Sequence, residues 1–360
     1  MAVNEADKHP QSLTALLDLS RSELEQLLLS WDEPRFRAAQ VWNGLYRRLA
    51  AGPDDLSDLP KELRARMAAH TIWDPLVLLA TITSKDRQTR KVLFALPDGA
   101  QIEAVLMHYT RRHTACISTQ AGCAMGCPFC ATGQGGFERN LTAGEIVAQV
   151  LFFARELAAS DQRVTNVVFM GMGEPLANYD ATWSAIRRLN DPDGFGLGAR
   201  AMTVSTVGLA PGIRRMAGEP GQVGLAVSLH AATDELRDQL VPINRRFPLA
   251  ELLDACHEYI GRTHRRVTFE YALMAGVNDG DQHAHQLAGL LGGMLAQVNL
   301  IPLNPTPDSR YEPSPPERVH AFKRILRQHD IAATVRLRRG LDIQAGCGQL
   351  RLHQRPSTAD

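Results

Sequence analysis

The sequence predicts an α/β fold, built on a largely parallel sheet that is open or closed into a barrel. From His113 onward, short apolar segments rich in β-branched residues alternate with longer segments whose apolar residues recur every three or four positions. Most of the short segments lack polar–apolar alternation, which is typical of parallel strands buried on both faces. Before about Thr71 only the helical spacing occurs, so we expect a small helical attachment ahead of the sheet.

The elements follow in order along the chain. The first ten residues are expected to form a loose tail, and three helical segments follow within residues 12–31, 34–50 and 59–70. The period then changes, and residues 80–84, 90–96 and 101–107 are predicted as short strands joined by turns. The candidate strands of the main sheet are residues 114–118, 165–171, 201–208, 223–230, 266–274, 297–305 and 332–338.

Two of the intervening helices carry further signals. One is expected to begin at a capping box formed by Thr142 and Glu145. Another spans residues 248–262 and places Leu249, Leu252 and Cys256 on one apolar face. We therefore assign Cys256 to the core rather than to a functional site.

Length and composition restrict the class of protein. The 360 residues fit one large domain with a smaller attachment, and 44% hydrophobic with 22% charged residues argues against disorder. No apolar run approaches the roughly 20 residues that span a bilayer. The polar N-terminus lacks the apolar region of a secretory signal. We therefore expect a cytoplasmic protein whose six cysteines are reduced and serve as ligands, nucleophiles or core residues.

The formal net charge is zero, which argues against a protein that coats nucleic acid by bulk electrostatics. Local basic clusters nevertheless leave RNA as a candidate partner. For each cluster, a solvated protein surface is the alternative interpretation. The three clusters are residues 111–113, 262–266 and 336–339.

The strongest motif is a C-x3-C-x2-C spacing formed by Cys123, Cys127 and Cys130 in a glycine-rich loop after a predicted strand. Soft thiolates suit iron–sulfur clusters or zinc. A structural zinc site needs a fourth ligand, but the next cysteine is Cys256 and the nearest histidine, His113, lies upstream. Three thiolates would leave one iron of a [4Fe–4S] cluster open to bind a substrate. A zinc site with a distant ligand and an incidental cysteine group remain as alternatives.

A second motif, residues 171–175 (Gly-Met-Gly-Glu-Pro), directly follows a strand. Glycines there let the backbone approach a ligand, and Glu174 can accept hydrogen bonds from an ammonium group. A plain strand–helix turn is the alternative. In a parallel barrel, the polar residues at the ends of later strands would open onto the same face. These residues are Ser205, Ser228, His230 and Asn304.

With its aromatic Phe129 before the last cysteine, the loop resembles the radical S-adenosylmethionine (SAM) superfamily. The resemblance implies a partial (β/α)6 TIM-like barrel, with Cys123, Cys127 and Cys130 holding one [4Fe–4S] cluster. It also implies that SAM is bound by Gly173, Glu174, Ser205, Ser228, Leu229, His230 and Asn304.

The resemblance narrows to the RlmN type of adenine carbon-2 methyltransferase. The matching segments occur in order along essentially the whole chain: Glu103, Cys116, the cysteine loop, GMGEPLAN, TVSTVG, SLHA, VPINRR, YALMAGVND, NLIPLNP and AGCGQL. Such enzymes act on 23S rRNA and in many cases on tRNA, which are the partners that the resemblance implies here. A flavodoxin-type electron donor is expected from the family, and a monomer is our default expectation.

The expected domains are an N-terminal helical accessory domain (1–72) that is a candidate for RNA binding, a β extension (73–112), the partial barrel (113–342) and a C-terminal segment (343–360). The family mechanism, carried over by resemblance, assigns three residues. Cys347 takes a methyl group from one SAM, and a deoxyadenosyl radical from a second SAM converts it to a methylene radical that adds to the base. Glu103 accepts the ring proton, and Cys116 releases the product by forming a transient disulfide with Cys347.

Chemistry supports a radical route, because carbon 2 of adenine is electron-poor and has no nucleophilic lone pair. Without the resemblance, Cys116 would be interpreted as a buried strand cysteine. Glu103 would be interpreted as a strand residue whose side chain faces solvent. Three other hypotheses compete: a Cfr-type carbon-8 methyltransferase, a non-catalytic RNA-binding or zinc-stabilised protein, and a radical enzyme acting on a small molecule. Pro175 and the helical attachment favour carbon 2 over carbon 8.

Overall fold

The computed structural model describes residues 13–306, 309–336 and 338–351. The predicted loose tail of residues 1–10 and the end of the predicted C-terminal segment lie outside the described residues. None of the helices in the described ranges is long and apolar enough to cross a membrane.

The N-terminal region is helical, as predicted, but its first helix begins later than the periodicity indicates. Its elements are β1 (Thr14–Ala15), α1 (Arg21–Leu29), α2 (Phe36–Tyr46), α3 (Lys61–His70) and β2 (Thr71–Ile72). The helix begins after Ser20 because that side chain accepts a hydrogen bond from the N–H of Glu23, while the Glu23 carboxylate accepts one from the N–H of Ser20. The residues before it instead form β1, which pairs in parallel with β2 and ties the two ends of the region together.

The predicted β extension is an antiparallel set that joins the edge of the main sheet. It comprises β3 (Val77–Thr83), β4 (Thr89–Ala95), β5 (Gln101–Tyr109) and β6 (Arg112–Cys116). In the β5–β6 ladder, Val105 pairs with Cys116 and Tyr109 pairs with Arg112. Strand β6 is shared, because its other edge pairs in parallel with the next strand of the main sheet.

The main sheet alternates with helices, as the sequence predicts. After β6 come β7 (Gln120–Gly122), α4 (Ala131–Gln134), β8 (Phe137–Asn140), α5 (Ala143–Ala158), β9 (Asn166–Phe169), α6 (Tyr179–Asn190), β10 (Met202–Thr206), α7 (Ala210–Ala217) and β11 (Gly224–Ser228). The remaining elements are α8 (Asp234–Leu240), α9 (Leu249–Thr263), β12 (Val267–Leu273), α10 (Asp281–Leu291), β13 (Ala296–Pro302), α11 (Pro316–Gln328) and β14 (Ala333–Val335).

Ten strands form one open sheet in the order β14-β13-β12-β11-β10-β9-β6-β5-β4-β3. From β6 to β14 all neighbours are parallel, so six parallel strands are followed by the short β14 as a seventh. Within the described ranges, β14 and β3 do not pair with each other. This confirms the predicted α/β class. Of the two predicted forms of the sheet, open or closed into a barrel, the structure has the open one.

A continuous apolar core lies between the sheet and its helices. Cys256 on α9 is fully buried in it, which confirms its assignment to the core. The predicted capping box at the start of α5 is present, since the Thr142 hydroxyl accepts from the N–H of Glu145 at 3.1 Å. The loops after the parallel strands therefore share one edge of the sheet, where the candidate site lies.

Candidate active site

One large cavity begins at the carboxyl ends of the parallel strands and continues through the open barrel to Tyr109, Arg338 and Arg339. Most of the residues that the sequence predicts for the site lie on its wall. They are Cys116, Cys127, Cys130, Gly173, Glu174, Ser205, Ser228, His230, Asn304 and Cys347. Leu229 is fully buried behind the wall, and neither Cys123 nor Glu103 lies on it.

The cysteine loop is held at its base by a small antiparallel ribbon. Strand β7 before the loop pairs with β8 after it, and the N–H of Cys123 donates to the carbonyl of Gly136 at 2.6 Å. Within the loop, the N–H of Cys130 donates to the carbonyl of Cys127 at 3.1 Å. Burial, with a smaller contribution from the nearby Cys130 thiol, raises the pKa of Cys123 to about 12. The three thiols therefore lie close together in an environment that is shielded from water.

This donor set fits an iron–sulfur cluster. Each thiolate of a [4Fe–4S] site binds its own iron, so three cysteines hold three irons and leave the fourth open. Among the described residues, no three His, Cys, Asp or Glu side chains are arranged to hold a single metal ion. Cys127 and Cys130 face the same cavity as Glu174, so the open side of such a cluster would face the rest of the site.

The segment after β9 presents a carboxylate from a tight turn. Gly173 has φ of 97°, and a Cβ atom there would lie 2.5 Å from the Cβ of Gln120, so this position requires glycine. The Glu174 carboxylate accepts hydrogen bonds from the N–H groups of Leu176 at 3.0 Å and Val207 at 2.8 Å. Burial raises the pKa of Glu174 to about 7. An ammonium group beside it would stabilise the ionised form.

His230 ends the next part of the wall in a strained backbone conformation, with φ of 61°. Its Nδ1 accepts from the N–H of Ala272 at 3.0 Å, so the neutral ring carries its proton on Nε2. Burial, and next the charge of Arg237, lowers the pKa of His230 to about 3. The ring packs edge-on against Phe129 of the cysteine loop, with 4.9 Å between ring centroids, so it joins the two halves of the cavity.

Arg237 holds the loops that follow β10 and β11 from the side away from the cavity. It is fully buried, and its guanidinium donates to the carbonyls of Leu229 at 3.1 Å, Val207 at 2.5 Å and Ser228 at 3.3 Å. It also donates to Oδ1 of Asn244 at 2.7 Å. One side chain therefore satisfies the carbonyl groups that follow both β10 and β11.

We expect Arg237→Met to lower the free energy of unfolding by about 3 kcal/mol, because it leaves several buried carbonyl groups without donors. Urea denaturation of the cluster-free protein measures this. Arg214→Met is the matched control, since Arg214 makes surface ion pairs with Glu251 and Glu258 and its loss should cost under about 1 kcal/mol. An Arg237→Met protein as stable as this control would contradict the assigned role.

Residues 345–348 and 350 of the C-terminal segment line the cavity close to the cysteine loop. The N–H of Ala131 donates to the carbonyl of Gly348 at 2.8 Å, and Asn304 Nδ2 donates to the carbonyl of Cys347 at 3.0 Å. A Cβ at Gly346 would lie 2.6 Å from Asn304 Nδ2, so a larger residue there would displace the Asn304 side chain. The buried Oδ1 of Asn304 has no hydrogen-bond partner among the described residues, and it can accept from a bound ligand.

Cys116 and Cys347 face the same part of the cavity, and all six cysteines of the chain, each within the described ranges, are free thiols. Burial, and next the proximity of Cys347, raises the pKa of Cys116 to about 12. The walls around Cys347 likewise raise its pKa to about 11, although its side chain is exposed toward the cavity. The positive charge of Arg336 opposes both shifts. Cys116 is therefore a cavity residue rather than a core one.

Glu103 is buried rather than solvent-facing. Its carboxylate lies 3.0 Å from Nζ of Lys91 and accepts from the N–H of Arg351 at 3.0 Å. Its side chain shares a face of β5 with Val105 and Met107, which line the cavity. Glu103 thus lies just beyond the cavity wall, beneath the C-terminal segment.

Comparisons with known proteins agree with this geometry. A family model described as the radical SAM superfamily matches residues 117–288, and one described as the ribosomal RNA large subunit methyltransferase N-terminal domain matches residues 14–72. A radical SAM methyltransferase from Sphaerobacter thermophilus superposes with a TM-score of 0.92 at 52% identity, covering 94% of this chain and 99% of that one. A probable dual-specificity RNA methyltransferase RlmN from Chloroflexus aurantiacus is 52% identical, over 93% of this chain and 92% of its own.

The chain belongs to the RlmN family. A second relative, the dual-specificity RNA methyltransferase RlmN 1 of Myxococcus xanthus, is also 52% identical, over 93% of this chain and 94% of its own. The resemblance predicted from the sequence is therefore confirmed at the level of the superfamily and of the RlmN family.

Two residues of this RlmN-family cavity were not predicted from the sequence as site residues. Glu270 is a buried carboxylate on β12 that lines the cavity, where Asn299 Nδ2 donates to it at 3.0 Å. It was detectable as a charged residue within an otherwise apolar strand. Arg336 was predicted only as part of a basic cluster that could contact RNA or solvent, but its guanidinium lies inside the cavity, 3.6 Å from the Glu270 carboxylate. Only the curvature of the sheet places it there.

Proposed function

We propose that this RlmN-family chain methylates carbon 2 of adenine in 23S rRNA and in tRNA, using two SAM molecules per turnover and an S-methylcysteine intermediate. The observation that carries the proposal is that Cys116 and Cys347 face one cavity together with Cys127, Cys130 and Glu174. The names of the relatives, dual-specificity RNA methyltransferases, support RNA as the substrate.

Three cysteines, Cys123, Cys127 and Cys130, would hold a [4Fe–4S] cluster, which supplies the electron that cleaves SAM reductively. The Glu174 carboxylate would accept hydrogen bonds from the ammonium group of SAM. Oδ1 of Asn304, which has no partner among the described residues, would accept a hydrogen bond from another donor group of SAM. The remaining proposed SAM contacts come from Gly173, Ser205, Ser228, Leu229 and His230.

In the first half of the reaction, the Cys347 thiolate attacks the methyl carbon of a SAM. The sulfur–methyl bond of the sulfonium breaks as the Sγ–methyl bond forms, and S-adenosylhomocysteine leaves. The thiol must first lose its proton, which its pKa of about 11 opposes. The positive charges of Arg336 and of the sulfonium both favour the thiolate, so the attack is assisted where the methyl donor is bound.

In the second half, the S-methyl group loses a hydrogen atom to the deoxyadenosyl radical and its carbon bonds to carbon 2. Glu103 accepts the ring proton, and one electron would pass from the adduct to the cluster, which was oxidised when SAM was cleaved. Cys116 then attacks Sγ of Cys347, so the disulfide forms as the bond from Cys347 to the methylene carbon breaks. The electron pair goes to that carbon, which takes a proton from solvent and becomes the product methyl group.

Glu103 must reach the base for this role, which requires a local shift. Its carboxylate is paired with Lys91 and covered by the N–H of Arg351. We propose that the C-terminal segment moves aside when RNA binds, which would expose the carboxylate toward the cavity. Lys91 would remain paired with the carboxylate.

The Cfr-type carbon-8 reaction is not favoured, since the relatives that match nearly the whole chain are named RlmN. We propose a flavodoxin-type electron donor and a monomeric enzyme, on the basis of the family. The test is incubation of the anaerobic, cluster-reconstituted enzyme with SAM, a reductant and unmodified rRNA or tRNA. Mass spectrometry of the digested RNA should detect 2-methyladenosine, whereas 8-methyladenosine would contradict the proposed position.

We expect SAM affinity to rise with pH up to about 7, because Glu174 must be ionised to accept an ammonium group and its pKa is raised to about 7. Below that value, each pH unit should weaken binding by up to about tenfold, and above about pH 8 affinity should fall again as the ammonium group of SAM loses its proton. Calorimetry on the cluster-loaded protein measures this. Glu174→Gln should lose both the affinity and this pH dependence, whereas Glu138→Gln, at an exposed position on β8, should keep the wild-type profile. Identical profiles for the two variants would contradict the assignment.

A further inference from the structure

The end of the cavity farthest from the cysteine loop is built around one aromatic ring. Tyr109 lines the cavity and is half-buried, and the guanidinium carbons of Arg112 and Arg339 lie 4.3 and 4.4 Å from its ring centroid. Both distances are within the range of cation–π contact. We name Tyr109, Arg112 and Arg339 the entrance platform.

The platform unites two of the three basic clusters seen in the sequence. Arg112 pairs with Tyr109 at the turn between β6 and β5, whereas Arg339 arrives from the chain after β14. Arg339 is fixed there by donating to the carbonyl of His108 at 3.2 Å and to Gln88. The third cluster, residues 262–266, does not line the cavity, and its Arg265 donates to the carbonyl of Gln222.

The charge at this end is locally positive in a chain of zero net charge. Arg338 is exposed on the cavity wall, and Arg112 is exposed with no carboxylate partner among the described residues. By contrast, Arg215 on the surface is paired with the carboxylate of Asp180 at 2.5 Å. Unpaired guanidinium groups beside an aromatic ring suit a ligand that has both phosphates and flat rings.

The platform is too far from the two thiols to hold the reacting base itself. Cys116 pairs with Val105, and Tyr109 lies four residues farther along β5, which is about 13 Å for a strand that rises about 3.3 Å per residue. Arg336 lies between the two places, since its charge interacts with Cys116, Cys347 and Tyr109. A nucleotide on the platform is therefore a neighbour of the base that reacts.

We propose that Tyr109, Arg112 and Arg339 stack and clamp an RNA nucleotide that flanks the target adenine, and that the RNA enters the cavity from this end, opposite the cysteine loop. This inference rests on the proposed function. In this proposal Arg112 leaves the Tyr109 ring to pair with a backbone phosphate, a base stacks on the ring face that this exposes, and Arg339 keeps the ring oriented.

The test measures RNA binding by filter retention, with cluster-loaded protein and unmodified transcripts of tRNA and 23S rRNA. Tyr109→Ala should weaken binding by about tenfold, the effect of losing one base–aromatic stack, while Tyr109→Phe should retain it. Arg112→Ala should reduce the slope of log affinity against log salt by about one. Arg265→Ala is the matched control, because it removes the same charge away from the cavity and should change neither quantity.

A second measurement distinguishes loss of RNA contact from damage to the cavity. It detects the SAM-dependent methylation of Cys347 in the absence of RNA, by mass spectrometry of the protein. Tyr109→Ala should leave it unchanged. Wild-type binding by Tyr109→Ala would overturn the platform while leaving the proposed function intact, and loss of Cys347 methylation in this variant would show that Tyr109 supports the cavity instead. If wild-type protein bound and methylated neither RNA, the proposed function itself would fail.

Discussion

Replacing Cys347 with alanine is expected to abolish RNA methylation, with a loss of at least about 10⁴-fold, the scale seen when a catalytic nucleophile is removed. The reason is that Cys347 carries the methyl carbon from SAM to the base, and no other described thiol outside the cysteine loop except Cys116 lines the cavity. The loss is measured as methyladenosine formed per enzyme in a single turnover.

A matched variant, Cys256→Ala, should keep its methylation activity. Cys256 is fully buried on α9 away from the cavity, so its replacement should lower the free energy of unfolding by about 1 kcal/mol and change little else. The iron content of both variants should equal that of the wild type. Methylation by a Cys347→Ala protein with an intact cluster would remove the methyl-carrier role.

Replacing Cys116 with alanine is expected to trap enzyme and RNA as a covalent adduct. Without the second thiol, no other described cysteine outside the cysteine loop lines the cavity to attack Sγ of Cys347, so the bond between Cys347 and the methylene carbon persists. The adduct should survive denaturation and migrate as a protein–RNA species on a denaturing gel, at up to about one RNA per enzyme.

The double replacement of Cys116 and Cys347 by alanine provides the control for this experiment. It should yield no adduct, because the carbon that joins protein to RNA is carried by Cys347. Release of free methylated RNA by the Cys116→Ala protein at the wild-type rate would show that another group breaks the bond. Either that result or an adduct from the double variant would contradict the assigned roles.

The parts of the site that the sequence predicts well lie within single short segments. The cysteine loop and residues 171–175 have spacings that reflect local geometry, such as the turn at Gly173 with its positive φ. The helices and strands were predictable for the same reason, because each shows its own period. The first helix was placed too early because its apolar residues continue the helical spacing into β1, which is instead stabilised by pairing with β2.

Contacts between distant segments were not predictable in this way. Arg336 has the sequence environment of a surface cluster, yet the open barrel brings it beside Glu270 and the two reactive thiols. Arg237 shows no motif, and only its burial behind β10 and β11 reveals that it holds their carbonyl groups. Glu103 has an alternating strand environment, but the C-terminal segment covers it.

The most direct test of the central claim follows the hydrogen atoms of the methyl group. The enzyme is given SAM whose methyl group carries three deuterium atoms, and the 2-methyladenosine released from RNA is analysed by mass spectrometry. Transfer through Cys347 removes one deuterium from the S-methyl group and later adds a solvent proton, so the product methyl group should retain two deuterium atoms and the released deoxyadenosine should contain the third. A product that retains all three would mean that the methyl group moves intact from SAM to the base, which would contradict the account.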